Sequence, residues 1–455
     1  MNLPRRPLPL FLILGTAILT GRAAPPGAEA LLLITGDQHS AYERTAQLVA
    51  TVDRLKAENP GLPLAILLNG DTLEYGNIVA RRSGGTVDFA MFTALVARAP
   101  TVINLGNHEP EFYDLEETVR RIEATGVKVV SNIVNCATNR LFAPASTLLP
   151  LGRETAVVIG LTTDLLSTYR LAVRPSLDLA NPVVWAKKNF PDLLAAAPLR
   201  IVLSHAGVTP DREMLALVPD GTLFAGAHDH LRLVQPFSHT MYFHSGSWGE
   251  YLSLAWLCRD AAGAPRWVIE QIKIATDGPA DAALTALIRE TKAKYLTPED
   301  TAVVGQFTTA MSTAEAAKFA ARALREAAGT DAAFIGNTTF GAGLPAGGVT
   351  RTEFDSCVRF DGTIFTTEVD GVRLLQLIAA SNQGPDTPFA QRHGEFCFAA
   401  GPATIDPAKH YHIATTDWGA KNTARYFGEP AISWQEQPGM KLKAAVLGAL
   451  KAGPQ

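Results

Sequence analysis

The sequence predicts a two-domain protein of the α/β class, and three observations support this prediction. The chain has 455 residues, which exceeds the size of one ordinary hydrophobic core. Apolar runs of strand length alternate with stretches of helical periodicity up to about residue 274, which is typical of a largely buried sheet. The composition then changes over residues 277–300, where Asp-Gly-Pro-Ala is a linker signal. A second unit is therefore expected over residues 301–455.

The first unit alternates short apolar strands with amphipathic helices. Strands are predicted at residues 31–35, 64–68, 101–105, 127–130, 156–161 and 199–203, and residues 223–274 are strand-like with turns between the runs. Helices are predicted at residues 41–56, 89–97 and 114–124, with Ser40 as the candidate N-cap of the first.

The linker and the second unit are also patterned. The linker contains a predicted helix at residues 282–295. An alanine-rich helix at residues 313–328, capped by Ser312 or Thr313, opens the second unit. Strands are predicted there at residues 332–335, 363–369 and 410–415.

The overall composition excludes two classes of protein. Apolar residues make up 47% and charged residues 18% of the chain, which is typical of a globular protein and not of a disordered one. The formal net charge is −4, so there is no basic excess to neutralise a phosphate backbone. We therefore expect no nucleic-acid polymer as a partner.

The first residues differ from the rest and indicate a secretory signal peptide over residues 1–24. Arg5 and Arg6 precede an uncharged apolar run at residues 8–19, and Ala23 and Ala24 suit a cleavage site. The run is shorter than the ~20 residues that span a bilayer, although an uncleaved anchor is the alternative. These features predict a secreted or periplasmic protein without a membrane attachment after cleavage.

Four cysteines, Cys136, Cys258, Cys357 and Cys397, are present, and none belongs to a Cys-x-x-Cys pair. The sequence thus predicts no zinc ribbon and no redox motif. Export permits disulfides, and one pair could form in each half of the chain. Buried free thiols are the equal alternative.

Five polar motifs each follow a predicted strand. They are Asp37-Gln38-His39, Gly70-Asp71, Gly106-Asn107-His108-Glu109, His205 and His228-Asp229-His230. The carboxyl ends of strands in an open α/β sheet gather along one edge, where ligands bind. Singly, each motif has an ordinary interpretation as a turn, a loop or a satisfied polar group. Together they supply a complete set of ligands for a metal site.

The residue types suit two divalent metal ions. Carboxylate, amide and imidazole ligands fit zinc, manganese, iron or cobalt, and the absence of thiolate disfavours a structural zinc site. We expect Asp37, His39 and His230 at one ion, Asn107, His205 and His228 at the other, and Asp71 bridging them. Two such ions can generate a hydroxide and hold both the attacking and the leaving oxygen of a displacement at phosphorus.

On these motifs, residues 31–274 resemble the calcineurin-like metallophosphoesterases. Residues 331–382, which include Leu344-Pro345-Ala346-Gly347 and Phe360, resemble the C-terminal domain of the secreted 5′-nucleotidases. The resemblance implies a metal-dependent hydrolase of ester bonds. It also implies a four-layer sandwich over residues 30–276 and a smaller α+β domain over residues 301–455.

The resemblance assigns a catalytic role to His108, which would stabilise the transition state and assist the leaving group without binding a metal. The family places an aspartate three residues later, where this chain has Glu111. A carboxylate on a longer arm is expected to orient the imidazole. The alternative is a solvated acidic loop shared with Glu109 and Asp114.

The resemblance also implies substrate-binding residues in the second domain. Phe360 and Tyr426 correspond to two rings that sandwich a base, and core aromatics are the alternative. The family's arginines are absent: Gly341 stands where one is expected. Arg359 and Arg425 are the candidates to replace them.

The leading prediction is a secreted hydrolase of small-molecule phosphomonoesters such as 5′-nucleotides, attacked by the hydroxide that bridges the two metals. One alternative stays within the enzyme class. Relatives of the same architecture cleave cyclic nucleotides, nucleotide sugars or a sulfur ester in thiosulfate oxidation. A metal-dependent binding protein without turnover is the alternative from another class.

Overall fold

The computed structural model describes residues 24–429 and 431–452. The predicted signal peptide at residues 1–24 lies, apart from Ala24, outside the described residues. Within the described part, no helix has both the length and the apolar character needed to cross a membrane.

The first domain contains two six-stranded sheets and a small three-stranded one. Its strands in chain order are β1 Ala30–Thr35, β2 Leu64–Asn69, β3 Thr101–Asn104, β4 Lys128–Val130, β5 Val134–Asn135, β6 Arg140–Leu141, β7 Ser146–Leu151, β8 Glu154–Thr162, β9 Leu177–Asp178, β10 Leu199–His205, β11 Leu223–Gly226, β12 Arg232–Phe237, β13 Thr240–Ser245, β14 Tyr251–Arg259 and β15 Pro265–Lys273. The large sheets have the orders β15-β14-β1-β2-β3-β4 and β12-β13-β11-β10-β8-β7, and the small sheet has the order β6-β5-β9.

The central strands of both large sheets are parallel. In the first sheet β1, β2, β3 and β4 run in one direction, and in the second β8, β10, β11 and β13 do the same. The carboxyl ends of parallel strands therefore meet at one edge of each sheet. Fully buried residues such as Leu32, Val158 and Ile201 fill the space between the two sheets.

Helices cover both outer faces and complete the four layers. They are α1 Tyr42–Glu58, α2 Ile78–Ser83, α3 Thr86–Val96, α4 Leu115–Ala124, α5 Pro182–Leu194, α6 Val208–Met214 and α7 Ala282–Tyr295. Helices α1 to α4 and α7 share a core with the first sheet, whereas α5 and α6 pack on the second. This arrangement confirms the predicted four-layer α/β sandwich.

The start of α1 corrects one prediction. The residue that caps α1 is Ala41, without a side-chain hydrogen bond, whereas Ser40 was expected to cap it. Ser40 has a φ of 49° and belongs to the loop after β1, where His39 has the same left-handed φ. Ser40 therefore has the left-handed backbone of the loop and not the extended backbone of a helix N-cap.

The predicted linker helix is present as α7. The Asp281 carboxylate caps it by accepting the backbone N–H of Leu284. Leu284 and Ile288 are buried in the helical layer outside the first sheet. Helix α7 thus packs on the first domain.

The second domain is a five-stranded mixed sheet flanked by helices. Its strands are β16 Val303–Phe307, β17 Ala332–Gly336, β18 Gly347–Thr350, β19 Thr363–Asp370, β20 Cys397–Ala400, β21 His410–Thr416 and β22 Gln435–Lys441. Its helices are α8 Thr313–Ala328, α9 Arg351–Cys357, α10 Gly371–Ala380, α11 Asp417–Lys421, α12 Thr423–Phe427 and α13 Leu442–Ala452. The sheet order is β20-β17-β21-β19-β22, and β16 pairs with β18. This confirms the smaller α+β domain.

Two further sequence predictions have clear outcomes. Ser312 caps α8 through a reciprocal capping box with Glu315, as one of the two predicted caps. The four cysteines are all unpaired, so of the two alternatives the free thiols are observed and the disulfides are not. Cys258, Cys357 and Cys397 are buried thiols, and Cys136 is exposed.

Candidate metal centre

The loops after the strands have an unusual backbone. Asp37, His39, Asp71, His228 and His230 all have positive φ, between 49° and 81°. For residues other than glycine this conformation costs about 1–3 kcal/mol each, so it persists only where the surrounding structure imposes it. Five of the seven predicted ligands thus sit in strained turns, which is typical of a functional site.

The first predicted set of ligands meets at one point. His39 Nε2 lies 2.9 Å from His230 Nε2, and Asp37 Oδ1 is 3.9 Å and 4.0 Å from these two nitrogens. One ligand atom from each residue falls within 4.8 Å of the others. Their separations suit a single cation between them.

The second set lies beside the first. His205 Nε2 is 3.0 Å from Asp71 Oδ2, and His228 Nδ1 is 2.9 Å from Asn107 Oδ1. Asp71, His205 and His228 form another group whose ligand atoms lie within 4.8 Å of one another.

Asp71 also belongs to a group with His39 and His108, which places its carboxylate between the two sets. Gly106 makes this approach possible, because a Cβ there would collide with the Asp71 carboxylate and the His205 ring.

The donor atoms fit metal ions chemically. Burial lowers the pKa of His228 to about 3 and that of His230 to about 4, and it holds the pKa of His39 well below its usual value. Neutral imidazole is the form that binds a metal. Burial also lowers the pKa of His205, but the carboxylate of Asp71 outweighs it and raises that pKa to about 10.

The ring of His205 is also fixed by its surroundings. Its Nδ1 is 2.8 Å from the Asn69 carbonyl oxygen, an acceptor, which leaves Nε2 facing Asp71. A cation seated at Nε2 would replace the proton that Asp71 favours there.

His108 stands next to this cluster and is held by Glu111. Its Nδ1 lies 2.9 Å from Glu111 Oε1, and its Nε2 lies 4.0 Å from Asp71 Oδ2. Burial lowers the pKa of His108, but Asp71 and Glu111 outweigh this effect and raise it to about 9. The protonated ring can therefore donate to an anionic oxygen.

The loop that carries His108 is not a solvated acidic loop. Glu109 is fully buried and accepts hydrogen bonds from the backbone N–H groups of Asp71, Thr72 and Gly106. Its carboxylate thereby joins the loop after β2 to the loop after β3. The sequence motif included Glu109, but we did not predict that its carboxylate joins these two loops.

Sequence reasoning missed Glu74. Its Oε2 lies 3.2 Å from His39 Nδ1 and 3.5 Å from His108 Nδ1, and it contacts the guanidinium of Arg359 from the second domain. A carboxylate at Nδ1 directs Nε2 of the same ring toward a metal. The only available signal was its position three residues after Asp71.

A cavity of about 560 Å³ lies between the two domains. The first domain contributes the cluster around Asp71 and His108 to its lining, and the second domain contributes Phe360, Trp418 and Tyr426, which form its aromatic end. Its volume is in the range of small-molecule sites. Trp418 was not predicted; it donates its ring N–H to the Tyr426 hydroxyl at 3.1 Å. Phe360 is 48% exposed, so it is not a core residue.

The two candidate arginines both line the cavity, and each has a carboxylate partner. Arg359 is buried, contacts Glu74, and lies over the Trp248 ring at 4.5 Å. Arg425 contacts Glu395 at 3.0 Å.

The structure explains why glycine stands at position 341. A Cβ there would collide with the Trp248 ring and the Ser356 carbonyl oxygen, so no arginine side chain has room to leave this backbone. The same Trp248 ring stacks on His39 with the ring centroids 4.9 Å apart.

Comparison with known proteins agrees with this architecture. The family model for calcineurin-like phosphoesterases matches residues 30–232, and that for the 5′-nucleotidase C-terminal domain matches residues 298–429. No curated protein matches the chain.

Several solved structures share the fold over nearly the whole chain. A 5′-nucleotidase precursor from Thermus thermophilus is 18% identical with a TM-score of 0.63, covering 94% of this chain and 97% of that one. The sulfate thiohydrolase SoxB from the same organism is 13% identical with a TM-score of 0.64, covering 95% and 96%. A 5′-nucleotidase from Candida albicans is 12% identical with a TM-score of 0.60, covering 95% and 99%.

The two matched family models together account for both domains, in the order that the fold displays. The chain therefore combines a calcineurin-like phosphoesterase domain with a 5′-nucleotidase C-terminal domain, and members of these families are hydrolases that act on phosphoester bonds.

Proposed function

We propose that this protein is an exported phosphohydrolase that uses two divalent metal ions to cleave phosphomonoesters, with 5′-nucleotides as the leading substrates. The observation that carries the proposal is one cavity with the His/Asp cluster at one end and aromatic rings at the other. Export rests on the signal pattern at residues 1–24.

The metal ligands in this proposal are the seven predicted side chains. Asp37, His39 and His230 would hold one ion, Asn107, His205 and His228 would hold the other, and Asp71 would contribute to both. The bound ions would supply Lewis acidity at the phosphoryl group and lower the pKa of water.

His108 is the proposed proton donor. Glu111 holds the ring at Nδ1, so Nε2 is the atom that faces the phosphoryl group and the leaving oxygen. A general acid in this position typically contributes about 10²–10⁴-fold to the rate.

The aromatic end of the cavity supports a substrate with a flat ring. Phe360 presents an exposed face, and Tyr426 is positioned by its hydrogen bond to Trp418. Stacking of a base on such rings contributes about 1–3 kcal/mol per base. Arg359 and Arg425 remain candidates for substrate contacts from this side.

One substrate panel tests the proposal. The protein is stripped of metal with a chelator, reconstituted separately with zinc, manganese, iron and cobalt, and supplied with adenosine 5′-monophosphate, cyclic nucleotides, nucleotide sugars and an aryl phosphate. We expect hydrolysis of the 5′-monophosphate and of the aryl phosphate. In His108→Ala the turnover of the 5′-monophosphate should fall about 10²–10⁴-fold while metal content is retained. A metal-loaded protein that cleaves none of these compounds would be a binding protein, and the proposal would be wrong.

A further inference from the structure

We propose that Arg170 and Arg174, on the loop after β8 of the first domain, bind a second anionic group of the substrate beside the phosphoryl group that is cleaved. The inference rests on the proposed function and deepens it, since it names the class of substrate. The simplest nucleotide of this class is a nucleoside diphosphate. Neither arginine was among the residues predicted from the sequence.

The arginines that the second domain contributes to the cavity are both paired with carboxylates. Arg359 is paired with Glu74, and Arg425 with Glu395. A guanidinium that already contacts a carboxylate has less free charge and fewer free N–H groups for an incoming anion. The second domain therefore offers the cavity two arginines that are both largely neutralised.

Arg170 and Arg174 of the first domain donate hydrogen bonds to backbone carbonyl oxygens. Both line the cavity, Arg170 being exposed and Arg174 partly buried. Arg170 Nη1 donates to the Glu111 carbonyl oxygen at 3.0 Å, and Arg174 donates to the carbonyl oxygens of Tyr169 and Ser167. Within residues 24–429 and 431–452, neither guanidinium forms an ion pair with a carboxylate. Their positive charge is therefore uncompensated.

Acidic residues also line the cavity, and they would repel an anion. Each of them is already engaged. Glu111 contacts His108, Glu395 contacts Arg425, Asp417 contacts Lys421, Asp361 accepts the backbone N–H groups of Gly362 and Lys443, Asp229 accepts that of Val208, and Asp71 belongs to the candidate metal centre. None of these carboxylates forms an ion pair with Arg170 or Arg174, so both guanidinium groups line the cavity without a carboxylate partner among the described residues.

The loop is also tied to the catalytic residues. Arg170 holds the backbone of Glu111, and Asn107 Nδ2 lies 3.5 Å from the Thr168 carbonyl oxygen. The Arg170 guanidinium lies over the Tyr75 ring, 5.6 Å from its centroid. An anion held here would contact the wall that the first domain contributes, whereas Phe360, Trp418 and Tyr426 belong to the second domain. Guanidinium groups bind phosphate through paired N–H donors, which suits this role.

A matched pair of substrates and a matched control test the proposal. Adenosine 5′-diphosphate and 5′-monophosphate differ by one phosphoryl group. In metal-loaded Arg170→Ala/Arg174→Ala we expect KM for the diphosphate to rise about ten- to hundredfold and KM for the monophosphate to change less than about threefold. The control is Arg81→Ala, because Arg81 lies over the same Tyr75 ring at 4.8 Å but does not line the cavity.

The outcomes separate the two proposals. An equal rise in KM for both nucleotides would mean that the arginines bind the cleaved phosphoryl group, and no rise would mean that they bind neither; both results overturn the inference. The single variants Arg170→Gln and Arg174→Gln provide the measurement if the double variant does not fold. A second measurement is the affinity for a diphosphate analogue in which a methylene group replaces the bridging oxygen. Calorimetry gives this affinity without any turnover. If it weakens in these variants while no phosphoester is cleaved, the proposed function fails and the anion site stands.

Discussion

The carboxylate of Glu74 contacts the guanidinium of Arg359, which pairs a residue beside the candidate metal centre with a residue of the second domain. Both side chains are almost fully buried. Glu74 also lies against Nδ1 of His39 and of His108, and Phe360 directly follows Arg359. This one carboxylate therefore links the two imidazoles to the domain that carries the aromatic end of the cavity.

Removing this carboxylate is expected to destabilise the protein strongly. Glu74→Gln keeps the shape but leaves Arg359 charged and unpaired in the interior, which typically costs about 3–5 kcal/mol. The free energy of unfolding in urea measures the effect. Glu43→Gln, which breaks the more exposed pair with Arg44, should change it by less than about 1 kcal/mol. Similar values for the two variants would show that the buried pair contributes nothing special.

Metal content should follow the ligand assignment. His230→Ala removes one ligand of the first set, so we expect the bound metal to fall from two ions to one, with a lower melting temperature. Elemental analysis of purified protein gives the stoichiometry. His239→Ala, at an exposed histidine outside the cluster, should still contain two ions. Two ions in His230→Ala would remove His230 from the ligand set.

The role of His108 as a proton donor predicts a dependence on the leaving group. In His108→Ala, turnover of an alkyl phosphate should fall about 10²–10⁴-fold, because its leaving oxygen needs a proton. Turnover of p-nitrophenyl phosphate should fall less, since nitrophenolate leaves without one. Glu111→Gln, which weakens only the contact at Nδ1, should show the same trend with a smaller loss. Equal losses for both substrates would contradict proton donation.

Position 341 should not tolerate a side chain. A Cβ on Gly341 would overlap the Trp248 ring and the Ser356 carbonyl oxygen, so Gly341→Ala should destabilise the protein by about 1–3 kcal/mol. Gly448→Ala is the control, and its effect on the free energy of unfolding should have the opposite sign. Gly448 lies within α13 with open space around its Cβ position, and alanine there should stabilise by about 0.5–1 kcal/mol. Thermal and urea unfolding measure both variants.

A buried carboxyl away from the centre predicts a dependence of stability on pH. Burial raises the pKa of Asp88 from 3.8 to about 7, and Tyr42 donates a hydrogen bond to it at 2.6 Å. Between pH 4 and 7 the folded state therefore holds a proton that the unfolded state has released. The contribution of Asp88 to stability falls as pH rises through this window, by at most about 1.4 kcal/mol per pH unit. In Asp88→Asn this decline should be smaller, and an unchanged pH profile would contradict the assignment.

The candidate centre could be predicted in large part because its residues obey a local rule. Each motif follows an apolar run, and strand ends in parallel sheets gather at one edge. Asp37, Asp71 and His205 could therefore be expected to meet although they are far apart in the chain. The prediction that Ser40 caps α1 was wrong. It rested on the residue type beside the helix, and the positive φ of the loop around His39 could not be read from the sequence.

The cavity residues outside the candidate metal centre could not be predicted in the same way. Arg359 was expected at the substrate, and its partner Glu74 became evident only when both domains were in place. Arg170 and Arg174 lie in a loop with no recognisable motif. Trp418 gained its position through a hydrogen bond to Tyr426. Side-chain pairing across a domain interface depends on the relative placement of two cores, and no periodicity in the sequence reports that placement.

The sequence by itself determined the two-domain α/β fold and the side chains gathered at the strand ends, because apolar periodicity and strand order are properties of the chain. The tertiary structure alone decided which charges remain free. It paired Arg359 with Glu74 and Arg425 with Glu395, and it left Arg170 and Arg174 uncompensated at the cavity wall. The physical reason is that the net charge at a point depends on neighbours brought together by packing, whatever their separation along the chain.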